Sequence, residues 1–189
     1  MKRILLAALA LVLAVGFAGT VSAKKMYLVN FDKGGMPNDN SNVDASLAED
    51  KAPKGQIYLK LTPVDISKNT WMGDYGPKKA NWEGYDVIRF DYFSEAKTPT
   101  NLIFVVKPKG AEGYYTRFDS SFVVRPGKGS VEIEIAGSCN NSGAPLDWKV
   151  PVAQWLISGT YSAPIHYGNI TLETMEDEKE TKDTKKDKK

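Results

Sequence analysis

Glu132 and Glu134, two positions apart, are the nearest this chain comes to carboxylates spaced for acid–base chemistry. On a strand they share one side, about 7 Å apart, a separation that suits a pair of glycosidic carboxyl groups. They alternate with Val131, Ile133 and Ile135, and a strand with one buried and one wetted face reads the same way. Other catalytic devices find little support. His166 is the single histidine, and Ser162 near it does not sit in a nucleophile elbow, so a Ser-His-Asp arrangement is not expected. Cys139 is the single cysteine, set among small polar residues with no neighbouring base to activate it. Zinc-ligand spacing is absent.

Recognition is better represented than bond cleavage. A face that binds sugar needs aromatic rings to lie against pyranose C–H surfaces and planar groups to meet hydroxyls. Of the four tryptophans, Trp82 immediately precedes a strand-like segment and reads as core, while Trp148 and Trp155 flank Val150-Pro151-Val152 and read as core or edge packing. Trp71 lies in a polar stretch with Tyr75 four positions on. That pair is the leading aromatic platform, the alternative being a loop anchor. If Ile88, Phe90 and Tyr92 face the core, Arg89 and Asp91 face outward together; by the same alternation so do Tyr115, Arg117 and Asp119. Arg89, Asp91, Tyr115 and Arg117 are therefore expected on one concave surface of two neighbouring strands, against the alternative of a cross-strand ion pair on a solvated face.

The elements that must position these residues repeat with period two. Strands are expected at residues 27–31, around Ile57, Leu59 and Leu61, at 87–92, 101–107, 114–118, 122–125, 131–135 and 167–172. Gly- and Pro-containing turns separate them, at 33–35, 97–99, 109–110 and 126–129. Only residues 152–156 suggest a helical turn, and residues 34–54 and 63–81 read as long irregular loops. Short strands with such punctuation indicate an all-β antiparallel sandwich or jelly roll.

Residues 1–23 have the form of a cleavable secretory signal: Lys2 and Arg3, then an apolar run over 4–17, then Val21-Ser22-Ala23. The run, about 14 residues, is short for a membrane span, which takes roughly 20. Export to the periplasm or medium is expected, with no membrane attachment after cleavage. Lys2 and Arg3 would leave with the signal, reducing 25 basic residues to 23 against 23 acidic ones. A net-neutral product argues against a nucleic-acid partner. One cysteine rules out an intrachain disulfide. Residues 176–189 contain no apolar side chain and read as a disordered charged tail, leaving one domain over 24–175.

Residues 81–91 read Asn-Trp-Glu-Gly-Tyr-Asp-Val-Ile-Arg-Phe-Asp. This resembles a recurring element of galactose-binding-like β-sandwiches, many of them carbohydrate-binding modules of polysaccharide-degrading enzymes. Further pieces match in order: Leu28-Val29-Asn30-Phe31-Asp32 the opening strand, Tyr115-Thr116-Arg117-Phe118 with Phe122 an inner one, Pro126-Gly127 with the alternating segment after it another, and Ile170-Thr171-Leu172-Glu173 the last. Residues 34–54 are longer than that pattern. The resemblance implies a monomeric, non-catalytic sandwich that binds a polysaccharide or glycan. It also implies a structural calcium near the first and last strands, with Asp32 and Glu173 as ligands; Asp39, Asn40, Asn42 and Asp44 offer further oxygens in a loop without EF-hand spacing. Two alternatives stand beside it: an envelope-associated protein-interaction domain of the same fold, and a small jelly-roll glycosidase using Glu132.

Overall fold

The period-two segments pair as two antiparallel sheets in the computed structural model, which describes residues 24–175. The expected secretory signal at 1–23 and the charged tail at 176–189 lie outside the described residues. In chain order the strands are β1 (Lys25–Val29), β2 (Asp39–Ser41), β3 (Val43–Ala48), β4 (Tyr58–Pro63), β5 (Thr70–Tyr75) and β6 (Val87–Ser94). They continue as β7 (Thr100–Pro108), β8 (Phe118–Val124), β9 (Gly127–Glu134), β10 (Val152–Gly159), β11 (Ile165–Tyr167) and β12 (Ile170–Glu173). One sheet has seven strands in the order β1-β12-β6-β11-β4-β3, with β9 on the other side of β6; the second runs β2-β5-β10-β7-β8. The expected all-β antiparallel sandwich is therefore the observed fold.

Its core lies between the sheets. Leu59, Leu61, Ile88, Phe90 and Leu172 meet Met72, Phe104, Trp155 and Ile157 there. Each such side chain contributes about 1.5–3 kcal/mol on burial. Trp155 stacks on Phe104 at 5.7 Å between centroids, and Trp82 on Trp148 at the same distance. The Trp148 indole N–H donates to the Ile135 carbonyl at 2.7 Å. All three of these tryptophans are thus packing residues, as their sequence positions suggested.

Five local expectations are corrected. The supposed helical turn at 152–156 is part of β10, the middle strand of the five-stranded sheet. A register shift between Val152 and Gln154 inserts one residue, so Val152 and Trp155 both reach the core three positions apart. A β-bulge thereby imitates helical spacing. The loop expected at 63–81 contains β5, whose inward residues are Thr70 and Met72; a polar residue and a glycine at the next position hid the alternation. The loop expected at 34–54 contains β2 and β3, which belong to different sheets and are joined through Asn42. This residue takes a left-handed conformation (φ 56°), and its side-chain amide donates to the Asp65 carbonyl while accepting from the Asp65 N–H. Residues 114–117 turn rather than extend: their carbonyls at Tyr115 and Arg117 accept from Ser142 and Asn141, and β8 starts only at Phe118. The segment expected as one strand over 167–172 is broken at Gly168-Asn169, where Gly168 lets the Tyr58 ring approach within the space a Cβ would need.

Tyr161 and Tyr167 are fully buried with their hydroxyls 2.7 Å apart. Burial raises both acidities' pKa well above the phenolic range, with the Tyr167 hydroxyl opposing that effect for Tyr161, so both stay neutral. Tyr161→Phe leaves the Tyr167 hydroxyl without this partner and is expected to cost about 1–3 kcal/mol. The double change to Phe is expected to cost less than the sum of the single ones, as measured by urea denaturation.

Candidate functional site

Strand register aligns four unlike side chains on the outer side of the seven-stranded sheet. Tyr27 on β1 pairs with Thr171 on β12, Thr171 with Arg89 on β6, and Arg89 with Glu132 on β9. Their chain neighbours Met26, Leu172, Ile88, Val131 and Ile133 pack in or against the core, so alternation sends this row outward. It crosses four adjacent strands, roughly 14 Å at ordinary strand spacing. The row floors a cleft of about 510 Å³ whose lining also includes Lys25, Asp32, Gln56, Asp91, Asn169 and Glu173.

Charges within the cleft are arranged as a ladder across strands. The Arg89 guanidinium lies 2.8 Å from Glu132 and 3.4 Å from Glu173, and Lys25 lies 2.7 Å from Glu173. Glu173 also accepts from the Thr171 hydroxyl at 3.0 Å. Burial alone would raise the Glu173 pKa, but the Lys25 ammonium, the Thr171 hydroxyl and Arg89 together hold it below the usual glutamate range. A carboxyl that binds its proton less tightly when folded adds stability above that range and loses it as the pH falls through the folded pKa. Glu173→Gln is therefore expected to melt below the wild type at neutral pH, with the gap closing in acid, in thermal scans at the two conditions.

The end wall of the cleft is stitched from three segments. Asn169 accepts from the Phe31 N–H at 2.6 Å and donates to Asp32 at 2.6 Å; the other Asp32 oxygen accepts from the Ile57 N–H at 2.7 Å. A single 3-10 turn at Phe31–Lys33 presents Asp32. It is capped by the Asn30 side chain and closed by Gly34 in the left-handed region (φ 73°), where glycine bears no Cβ penalty.

The residues singled out from sequence divide among three places. Arg89 and Asp91 line the cleft, as do Asp32 and Glu173. Tyr115 and Arg117 do not join them: they sit in the connection to β8, on the other sheet, where Arg117 grips Asp119 through Nε and Nη2 at 2.8 and 2.9 Å. The single concave surface expected for all four is thus replaced by two separate locations, because Arg89 and Tyr115 belong to segments that do not pair. Trp71 and Tyr75 are on β5 of the five-stranded sheet, half-buried and 71% exposed respectively.

Asp32 and Glu173 do not fit a calcium ion. The Asp32 oxygens are taken by an N–H and an amide, and Glu173 is held by two cations and a hydroxyl. Calcium wants six to eight oxygens, yet among the described residues no three His, Cys, Asp or Glu side chains converge for a metal. His166 is fully buried beside Glu95, with Nε2 to Oε1 at 2.7 Å and Asp50 3.9 Å from Nδ1, away from the cleft lining. That hydrogen bond lowers the Glu95 pKa.

Sequence reasoning passed over Tyr27, Thr171, Gln56 and Asn169. Tyr27 and Lys25 alternate with the inward Met26 and Leu28, a legible outward signal. Only the pairing of β1 with β12 makes them neighbours of Arg89.

No family model matches the chain, and no curated protein matches it. Solved structures do. An exo-β-agarase is similar at 14% identity and a TM-score of 0.64 over 80% of this chain and 26% of its own. Another agarase is similar at 16% identity and a TM-score of 0.57 over 80% of this chain and 25% of its own. The chain thus spans about a quarter of each agarase. The family 30 carbohydrate-binding module of a cellulosomal cellulase of Clostridium thermocellum is similar at 12% identity and a TM-score of 0.56, over 82% of this chain and 99% of its own. With its two antiparallel sheets and this likeness over nearly the full length of such a module, the chain has the β-sandwich fold of the carbohydrate-binding-module type.

Proposed function

We propose that this domain is an exported, non-catalytic module that holds a polysaccharide segment in the cleft of the seven-stranded sheet. The observation that carries the reading is the row Tyr27–Thr171–Arg89–Glu132, which sets a 41%-exposed aromatic ring beside a fixed guanidinium and carboxylate, the buried Thr171 hydroxyl between them being engaged with Glu173. A ring offers its face to pyranose C–H groups, and the flanking groups accept and donate to hydroxyls. The Lys25 ammonium, 5.6 Å from the Tyr27 ring centroid, adds a further donor beside it.

The cleft carboxylates are poorly placed for glycoside hydrolysis. Glu132 is engaged by Arg89, and Glu173 is held toward its ionised form, whereas a general acid must be held toward its protonated form. The likeness to a quarter of two agarases favours agarose as the first glycan to try, and a role as one part of a larger polysaccharide-acting assembly.

Pull-down on agarose, cellulose and mixed-linkage β-glucan is the test. Retention by at least one neutral polysaccharide is expected, with Tyr27→Ala weakening it about tenfold, the order of one aromatic contact. Absence of retention across the panel, or full retention by the variant, rejects the cleft as the site.

A further inference from the structure

The five-stranded sheet turns a second face outward, and its register orders that face. Trp71 on β5 pairs with Ser41 on β2 and Ser158 on β10; Ser158 pairs with Ile103 on β7, and Ile103 with Ser121 on β8. The neighbouring Met72, Ile157, Leu102 and Phe104 are in the core, so this row points away from it. Hydroxyls alternate with apolar side chains across five strands, roughly 19 Å.

The Trp71 ring is held in place from both flanks. Its indole N–H donates to one Asp39 oxygen at 3.1 Å, and the other Asp39 oxygen accepts from the Gln154 amide at 2.6 Å. Asp39 is on β2 and Gln154 on β10, the two strands that border β5. With its single polar atom already paired, the half-buried indole has only its apolar surface left to offer. A fixed ring loses little freedom on binding, which favours affinity. Beside the row, Asn101, Ile103, Ser121, Val123, Ser158 and Gly159 line a hollow of about 360 Å³. Tyr75 stands on the same side of β5 as Trp71, four residues on.

Charge narrows the occupant. Asp39 is engaged as described, Arg117 and Asp119 neutralise each other, and Lys107, in register with Gln154, remains. A surface of hydroxyls, amides and apolar groups with so little free charge suits an uncharged polyol with apolar ring faces, rather than a charged peptide or polyanion. We propose that this face is a second glycan-binding surface, independent of the cleft. The two sheets pack about 10 Å apart and back to back, so their outer faces point in opposite directions. One domain then holds two polysaccharide chains and cross-links them.

Tryptophan fluorescence reads this face selectively, because Trp82 and Trp155 are fully buried and Trp148 is stacked on Trp82. The probes are agaro-oligosaccharides and cello-oligosaccharides, titrated into the wild type, a cleft variant (Tyr27→Ala with Arg89→Ala) and Trp71→Ala. Expected is a saturable fluorescence change that survives in the cleft variant, and, in Trp71→Ala, which has lost the fluorescent reporter, an affinity by isothermal titration calorimetry that is about tenfold or more weaker than that of the cleft variant. Tyr75→Ala, which removes a largely exposed ring, gives a second readout if Trp71→Ala folds poorly. High-mass soluble glucan should turn turbid with the wild type and stay clear with either single-face variant. Loss of all binding in the cleft variant overturns the second face while leaving the cleft reading intact. A wild type and a cleft variant that bind the same number of oligosaccharides per domain by calorimetry, with that binding lost in Trp71→Ala, overturn the cleft reading instead. Unchanged titration by both Trp71→Ala and Tyr75→Ala, or a wild-type dimer in sedimentation that Trp71→Ala converts to monomer without any glycan signal, also overturns the second face.

Discussion

Gly73→Ala is expected to lower the melting temperature by about 6–12 °C, corresponding to about 3 kcal/mol for a domain of this size. A Cβ at this position would overlap the Trp155 carbonyl oxygen and press on Leu156 Cα, both of them backbone atoms of the adjacent β10. Neither can move without parting β5 from β10, so the strain cannot be relieved by a rotamer change. Gly129 makes the useful contrast. A Cβ there meets the Tyr92 ring, a side chain anchored by accepting the Arg125 N–H at 3.0 Å. Gly129→Ala is accordingly expected to cost less than Gly73→Ala, since a ring can tilt where a backbone cannot. Differential scanning calorimetry on both variants measures the difference. A Gly73→Ala protein that melts within about 2 °C of the wild type would mean that the β5–β10 pairing is not the one described, and the ordered face built on Trp71 would go with it.

Arg89→Ala is expected to weaken polysaccharide binding in the cleft about 10- to 100-fold, the loss of one or two hydrogen bonds from a charged donor at about 1.5–3 kcal/mol in all. The guanidinium is central by register, lying between Thr171 on one side and Glu132 on the other. Its removal deprives hydroxyls of a donor and also leaves Glu132 without its partner beside Asp91. Arg89→Lys restores the charge without the planar fork, so only partial recovery is expected. Isothermal titration against whichever glycan the pull-down identifies distinguishes the three proteins. Equal affinity of all three would remove Arg89 from the site, and a fall in stability large enough to explain the loss would show in the same samples' thermal scans.

Much of the fold was legible because one-sided burial writes itself into a strand. Ile88, Phe90 and Tyr92 were recognisable as inward, and Arg89 and Asp91 as outward, and the structure places them so. The same logic failed where pairing overrides the pattern. At Val152 to Trp155 a bulge disguised a strand as a helical turn. At Thr70 to Tyr75 a buried threonine and a glycine carry the inward and outward positions that apolar residues usually mark. At Asn42 a single left-handed residue carries the chain from one sheet to the other, inside a stretch that reads as loop.

The candidate site was half legible for a related reason. Alternation says which way Tyr27, Arg89, Tyr115 and Trp71 point, but it carries no information about which strands lie side by side. Tyr27 and Arg89 are 62 positions apart, by their numbers, and are brought together by β12, from the far end of the described chain. Tyr115 is nearer to Arg89 in sequence and ends up in the turn that leads to β8 of the other sheet.

Glu132 and Glu134 show the same division. That Glu132 and Glu134 alternate with a buried Val131, Ile133 and Ile135 was determined by the sequence itself, since side-chain period and apolar burial are local properties of a strand. So were the all-β class and the lack of an intrachain disulfide. Only the tertiary structure decided that Glu132 faces Arg89 across β6 and β9, inside a cleft floored by a tyrosine from β1. Register and strand order arise from contacts between distant segments whose combined packing energy exceeds any local preference, and no window of the sequence contains both partners.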